Sequence, residues 1–355
     1  MRLSSVEVIP YALPFKQPYV TARGALTQRE MVLLRVRDED GVVGLGEAVP
    51  LALRGGVGLR DVVAELEQWG EDREVDGLSA PARCAVETAL MDLRGRRVGE
   101  GLGEGARDEA VECNATLVAG PPDAVAAEAE KWARDGFTTF KLKLGAETAK
   151  RHLEGAFLRS RDVEQVRAVR EALGSSARIR VDANEAWDLE TAKVTLAALE
   201  EFEVELAEQP VAGLEAMAEL AASTSIPLAA DESVTNVDEA EEAVAVGACA
   251  YTGIKLSKVG GPEEALRIAD VLPAYVTSAL DGPVGIAAAG QVARSLAETD
   301  HPERLHLAHG LATQRLFAST IAAVECELSD GMLHLPSGPG LGVEIDEDAL
   351  QAHRI

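Results

Sequence analysis

FTTFKLKLG (residues 137–145) reads as a β-strand with Lys141 and Lys143 in its middle. Side chains alternate along a strand, so Phe140, Leu142 and Leu144 fall on one face and both lysines on the other. The chain has 8 lysines against 26 arginines, so two lysines on one face of an apolar strand stand out against the composition. Outward from this strand, short apolar segments recur: VECNATLV (111–118), ARIRVDAN (177–184), EVELAEQP (203–210), IPLAADES (226–233), AYTGIKLS (250–257), AYVTSAL (274–280) and RLHLAHG (304–310). Helical stretches such as PPDAVAAEAEKWARDG (121–136) and SRDVEQVRAVREALG (160–174) lie between them. Eight strands alternating with helices predict an α/β fold with a parallel, TIM-like (β/α) barrel.

The flanks differ. SSVEVIPYALPF (4–15) and EMVLLRVRDEDGVVGLGEAVP (30–50) are strand-like, with Asp40-Gly41 as a hairpin turn. ARCAVETALMDLRGRR (82–97) reads as a helix, with Val86, Leu90 and Leu93 at i, i+4 and i+7. Glycine-rich VGEGLGEGARDEA (98–110) marks a boundary near residue 110. After about residue 324, ECELSDGMLHLPSGPGLGVEIDEDAL leaves the alternating rhythm. The expected organisation is an α+β capping domain (1–110), a barrel (111–323) and a return to the capping domain (324–355).

A chain of 355 residues suits one large domain with a smaller one. Its net charge of −26 argues against nucleic acid and anionic membranes as partners, and an anionic substrate then needs locally placed cations. No run of about 18 apolar residues predicts a membrane span. The amino terminus lacks a signal core, which predicts a cytoplasmic protein. Cys84, Cys113, Cys249 and Cys326 lack metal-binding spacing and read as unpaired thiols.

Polar residues gather at the carboxyl ends of the predicted strands, where barrel enzymes place their active sites. Asp182 (VDAN), Glu208 (AEQP) and Asp231 (AADES) lie 26 and 23 residues apart, about one βα unit each. Successive strands therefore bring three carboxylates together. Such a set repels itself unless a cation neutralises it, and oxygen ligands without His or Cys favour Mg²⁺, with Mn²⁺ as the alternative. The bland reading, in which each acid caps a helix or pairs with arginine, competes for any one of them but less well for all three. Lys141 and Lys143 flank this site on one side and Lys255 (GIKLS) on the other. Arginine keeps its proton in a protein, whereas lysine can act as a base, so lysines here point to proton transfer.

These motifs resemble the enolase superfamily, in its muconate-lactonizing-enzyme-like subgroup, over nearly the whole chain: KLK, DAN, EQP, DES and IKLSKVGG (254–261). The resemblance implies a capping domain and a (β/α)₇β barrel. It implies Mg²⁺ on Asp182, Glu208 and Asp231, and Lys143 as the base that removes a proton α to a carboxylate. Lys255 is then the opposing cation, and Asn184 and Glu232 orient ligands and lysines. VTSALDGPVGIAAAG (276–290) and LAHGLAT (307–313) are most similar to the o-succinylbenzoate synthases, dehydratases of menaquinone biosynthesis. Ser278 is either a donor to a substrate carboxylate or a helix cap. Arg23, in TARGALTQRE (21–30), belongs either to a loop over the site or to a plain surface loop. His309, with Gly310 beside it, is either packed or in contact with substrate.

The expected partner is thus a small-molecule carboxylate, and a homo-oligomer is compatible with this reading. An N-succinylamino acid racemase would use the same lysines. Dipeptide epimerases of the family carry an acidic pair after the last strand, which LAHGLATQ (307–314) lacks, and muconate cycloisomerase is disfavoured on similar grounds. A Schiff-base aldolase, with Lys143 or Lys255 as nucleophile, leaves the acidic trio unexplained. A binding barrel without catalysis leaves the whole charged mouth unexplained.

Overall fold

The computed structural model describes residues 2–21, 24–52, 55–101, 110–145, 155–297 and 307–355. Three antiparallel strands come first, β1 (Leu3–Thr21), β2 (Gly24–Asp38) and β3 (Val43–Ala48), in the order β1-β2-β3. The second reversal falls where Asp40-Gly41 predicts it. Gly41 sits at φ +85° and its amide donates to Asp38 O over 3.1 Å. Helices α1 (Leu59–Asp72) and α2 (Ala80–Val98) cover one face of this sheet, where Val32, Leu34 and Val36 meet Leu66, Trp69 and Leu93. Gly46 lies against the backbone of Ala85 and Ala89, so any Cβ there would collide with α2. That close approach sets where its neighbour Glu47 emerges.

VECNATLV, expected as one strand, is divided. β4 (Val111–Glu112) pairs antiparallel with Leu333 and Met332 near the carboxyl terminus, while β5 (Ala115–Leu117) opens the barrel. The alternation then runs α3 (Pro122–Arg134), β6 (Thr139–Lys143), α4 (Gly155–Leu173), β7 (Arg178–Asp182), α5 (Leu189–Leu199), β8 (Val204–Glu208), α6 (Leu214–Ala221) and β9 (Leu228–Ala230). It continues α7 (Val237–Val246), β10 (Tyr251–Ile254), α8 (Leu256–Val259), α9 (Pro262–Val271), β11 (Ala274–Val276) and α10 (Pro283–Ala297). The strands β5 to β11 form one parallel sheet in sequence order.

The eighth strand contributes two bridge positions among the described residues, His309 and Gly310. His309 N donates to Glu112 O (2.7 Å) and Asn114 N to His309 O (2.8 Å), while Gly310 N donates to Val276 O (2.8 Å). These bonds tie the residues leading into β5 to β11 through the eighth strand and close a (β/α)₇β barrel. The start of RLHLAHG, residues 304–306, lies outside the described residues.

The remaining chain forms β12 (Ala322–Val324), β13 (Glu327–Ser329), β14 (Met332–His334), β15 (Glu344–Ile345) and α11 (Glu347–His353). It reaches back to the first sheet and α2. Leu341 N donates to Asp92 Oδ1 (2.7 Å), Arg96 Nη2 to Val343 O (2.7 Å), and Arg354 bridges to Tyr11. The first sheet also docks on the start of α10. Tyr11 OH donates to Glu47 Oε2 (2.8 Å) and Gly282 N to Glu47 Oε1 (2.6 Å). All four cysteines are free, as the spacing predicts. Among the described residues no helix is long and apolar enough to cross a membrane.

Candidate active site

Strand register assembles the charged cluster. Lys143 on β6 pairs with Asp182 on β7, Asp182 pairs with Glu208 on β8, and Glu208 pairs with Ala229 on β9, two residues before Asp231. Cross-strand partners and residues two apart share a face, so all of these side chains point into the barrel mouth. Lys255 follows β10 directly. In an eight-stranded barrel β6 and β10 are four strands apart, so Lys143 and Lys255 approach the mouth from opposite sides.

The acids are buried and engaged. Lys141 Nζ lies 2.6 Å from Glu208 Oε1 and 2.8 Å from Asp182 Oδ2, and Lys143 Nζ lies 2.5 Å from Asp182 Oδ2. Asp231 pairs with Lys255 through Oδ2 and with Lys258 through Oδ1 at 2.9 Å. Burial works against the charge on Asp182, but Lys141 and Lys143 outweigh it and hold the carboxyl well below its usual range. Burial and the neighbouring Asp182 push Glu208 up. Burial also opposes the charge on Lys141, yet Asp182, Glu208 and Asp231 prevail and raise it. Lys143 is the more open of the first pair, with 21% of its side chain exposed against 6% for Lys141, so it is the one a substrate can reach.

Among the described residues no three His, Cys, Asp or Glu side chains form a ready-made cation cage. The carboxylates are instead turned onto ammonium groups. The donor set nevertheless fits a hard divalent cation: three carboxylates on adjacent strands, near enough to raise one another's proton affinity, with lysine charge in the position of the counter-ion. Asn184 and Glu232 lie beside these lysines. Lys143 Nζ donates to Asn184 Oδ1 (2.9 Å), and Asn184 Nδ2 donates to Glu232 Oε1 (3.0 Å). Asn184 sits at φ +47°, which asparagine tolerates better than most residues, and its amide donates to Asp182 Oδ1 (3.0 Å).

Three further groups belong to the site. Lys258 stands three residues beyond Lys255 on α8, and one helical turn returns it to Asp231, so the mouth holds four of the eight lysines. Strand periodicity predicts Lys255 but does not sample Lys258. Gln209 accepts from Asp231 N (2.8 Å) and donates to Val211 O (2.9 Å), tying the ends of β8 and β9 together. Tyr275 OH donates to Glu208 Oε2 (2.5 Å).

The weaker candidates resolve differently. The Ser278 hydroxyl donates to Asp281 Oδ2 (2.6 Å) and accepts from Leu280 N and Asp281 N, so it organises a turn and its proton is committed. His309 Nδ1 accepts from Val276 N (2.9 Å), and burial, then Arg180, press its pKa down to about 3. It is a neutral packed residue, and Gly310 closes the barrel through its backbone. Arg23 lies outside the described residues.

The chain matches the family described as enolase C-terminal domain-like over residues 124–349. It matches the mandelate racemase / muconate lactonizing enzyme N-terminal domain over residues 4–67. It is 29% identical to muconate cycloisomerase 1 of Acinetobacter baylyi, with 99% of each chain covered. Among solved structures it is similar to the dipeptide epimerase of Enterococcus faecalis V583 complexed with Mg and L-Leu-L-Tyr. That TM-score is 0.86 at 25% identity, covering 97% of this chain and 100% of that one. It is also similar to 2-chloromuconate cycloisomerase of Rhodococcus opacus 1CP, with TM-score 0.88 at 27% identity and all of both chains covered.

Proposed function

Because the chain belongs to the enolase superfamily, in its muconate-lactonizing-enzyme-like subgroup, we propose that it abstracts the α-proton of a carboxylate substrate with Lys143 as base. The observation that carries this reading is the opposition of Lys143 and Lys255 across a mouth whose adjacent strands bear Asp182, Glu208 and Asp231. These three acids hold Mg²⁺. The cation, when bound, supplies positive charge beside the substrate carboxylate, offsetting the charge that builds as the proton leaves. Asp182 Oδ2 meets both Lys141 and Lys143, and a cation held by Asp182 would compete with these ammonium groups for its carboxylate. The division into a capping unit (1–110), barrel (111–323) and return segment (324–355) is proposed with it.

The specific activity we propose is o-succinylbenzoate synthesis, a syn dehydration of 2-succinyl-6-hydroxy-2,4-cyclohexadiene-1-carboxylate. The Lys143 amine takes the α-proton. The C–O bond then breaks, and the hydroxyl leaves as water with the proton that Lys143 returns. Lys255 stays protonated and faces the forming aromatic ring. What supports this over dipeptide epimerisation is that HGLATQRL (309–316) offers no carboxylate to hold a substrate amine. The purified protein should convert this substrate, lose the activity in EDTA and regain it with Mg²⁺. Turnover by metal-free protein sinks the cation reading. Efficient epimerisation of N-succinylamino acids or dipeptides without dehydration sinks the synthase assignment while keeping Lys143 as base.

A further inference from the structure

Tyr275 reaches Glu208 from across the barrel. Its side chain is fully buried, packed with Leu206, Ala229 and Leu307 inside the strands. Gly253 on the adjacent strand lies against the ring, where a Cβ would stand in ordinary contact at 3.4 Å. The Arg180 guanidinium stacks over the ring, 5.2 Å from its centre, and is itself pinned by Glu205 Oε2 (2.5 Å) and Ala308 O (2.6 Å). From this seat the hydroxyl donates to Glu208 Oε2, while Glu208 Oε1 meets Lys141. The two oxygens are therefore unequal. An ammonium gives way to a stronger cation, whereas a fully buried phenol hydroxyl has no charge to be displaced.

We propose that Tyr275 is a positioning residue that reserves one oxygen of Glu208, presents only Oε1 to the metal, and thereby favours Mg²⁺ over Ca²⁺. Mg²⁺ is small and octahedral and accepts single oxygens, whereas Ca²⁺ takes more ligands and often both oxygens of one carboxylate. The inference rests on Asp182, Glu208 and Asp231 being the cation site.

Calorimetric titration of Mg²⁺ and Ca²⁺ into metal-stripped wild type and Tyr275→Phe tests it without any substrate. Mg²⁺ should bind about tenfold more weakly to the variant, the size of effect expected when an outer partner of a ligand is lost. Ca²⁺ should lose less, so the preference for Mg²⁺ narrows. Equal losses for both ions, or unchanged binding of both, overturn the role of Tyr275. Wild-type protein that binds neither ion overturns the cation site itself. Should the variant fail to fold, ¹⁹F spectra of wild type labelled with 3-fluorotyrosine decide the matter, since the chain has only four tyrosines. The Tyr275 resonance, assigned by Phe substitution of Tyr11, Tyr19 and Tyr251, should move on Mg²⁺ saturation, and a silent resonance overturns the proposal.

Discussion

Asp182 at the barrel mouth and Glu47 at the seam between the first sheet and α10 are both buried carboxylates, and their surroundings shift them in opposite directions. At the mouth Asp182 is fully buried yet held well below its usual range, because Lys141 and Lys143 both meet it. At the seam Glu47 is as deeply buried, but its largest influences are burial and the nearby Asp281, and its pKa rises to about 7. Its partners are the Tyr11 hydroxyl and backbone amides of Gly282 and Gly285, which soften the rise without cancelling it. Burial alone thus does not decide whether a carboxyl is charged; the sign of its neighbours does. At the mouth the lysines hold Asp182 in its charged form, whereas at the seam Glu47 is pushed toward its protonated form.

The sharpest way to break this comparison is to keep charge at the mouth while removing chemistry. Lys143→Arg preserves the cation but cannot serve as base. It should lose activity by about 10²–10⁴-fold, the range for a positioned proton-transfer group, measured as kcat on the synthase substrate. Lys255→Arg, which keeps the charge opposite, should retain more activity than Lys255→Ala. If Lys143→Arg dehydrates at near the wild-type rate, the base is another group. If both Arg variants are equally dead for racemisation of N-succinylamino acids while wild type racemises them, the two lysines share proton transfer.

Much of the mouth was legible because a parallel barrel repeats. One βα unit of spacing between Asp182, Glu208 and Asp231 becomes adjacency as soon as consecutive strands pair in register. Lys141 and Lys143 followed from alternation alone. What escaped lay off that rhythm. Lys258 returns to Asp231 by a helical turn, a period that strand reading does not sample. Arg180 and Tyr275 sit one layer deeper in the barrel; alternation puts Arg180 on the face of Asp182, but it does not show which ring it meets across the interior. VECNATLV looked like one strand because hydrophobicity says nothing about which neighbour a segment pairs with, and its first half pairs outside the barrel. Ser278 carried its own clue, an acid three residues on, which marks a turn held by side-chain bonds.

A second test takes away charge at the mouth. Asp182→Asn leaves Lys141 and Lys143 facing one carboxylate fewer in a buried site. Breaking buried pairing in this way costs about 3–5 kcal/mol, so thermal stability in EDTA should fall along with Mg²⁺ binding. Denaturation that is unchanged in EDTA would mean that the lysines find other partners and that the mouth does not depend on this charge balance.

The seam should respond in the opposite direction, and its pH dependence can be given a sign. In the unfolded chain Glu47 titrates near the ordinary value of 4.5, and in the folded protein near about 7. Between those values the folded state holds a proton that the unfolded state has released. Stability from this group is therefore fully present below the unfolded value and is lost as pH rises through the folded one, by up to about 3 kcal/mol. Glu47→Gln mimics the protonated acid. Its oxygen can accept the Gly282 amide, and its amino group can donate to the Tyr11 oxygen, whose hydroxyl is already directed toward Met31 as well. The variant should be no less stable than wild type at pH 5 and more stable at pH 8, with a flatter profile between, followed by chemical denaturation at each pH. Asp281, also raised by burial, stays in both proteins; freed of the Glu47 charge it ionises more readily in the variant, which flattens the profile further. A variant that loses stability at pH 8 as well as at pH 5 would show that Glu47 is anchored there as a carboxylate, and that the seam holds charge just as the mouth does.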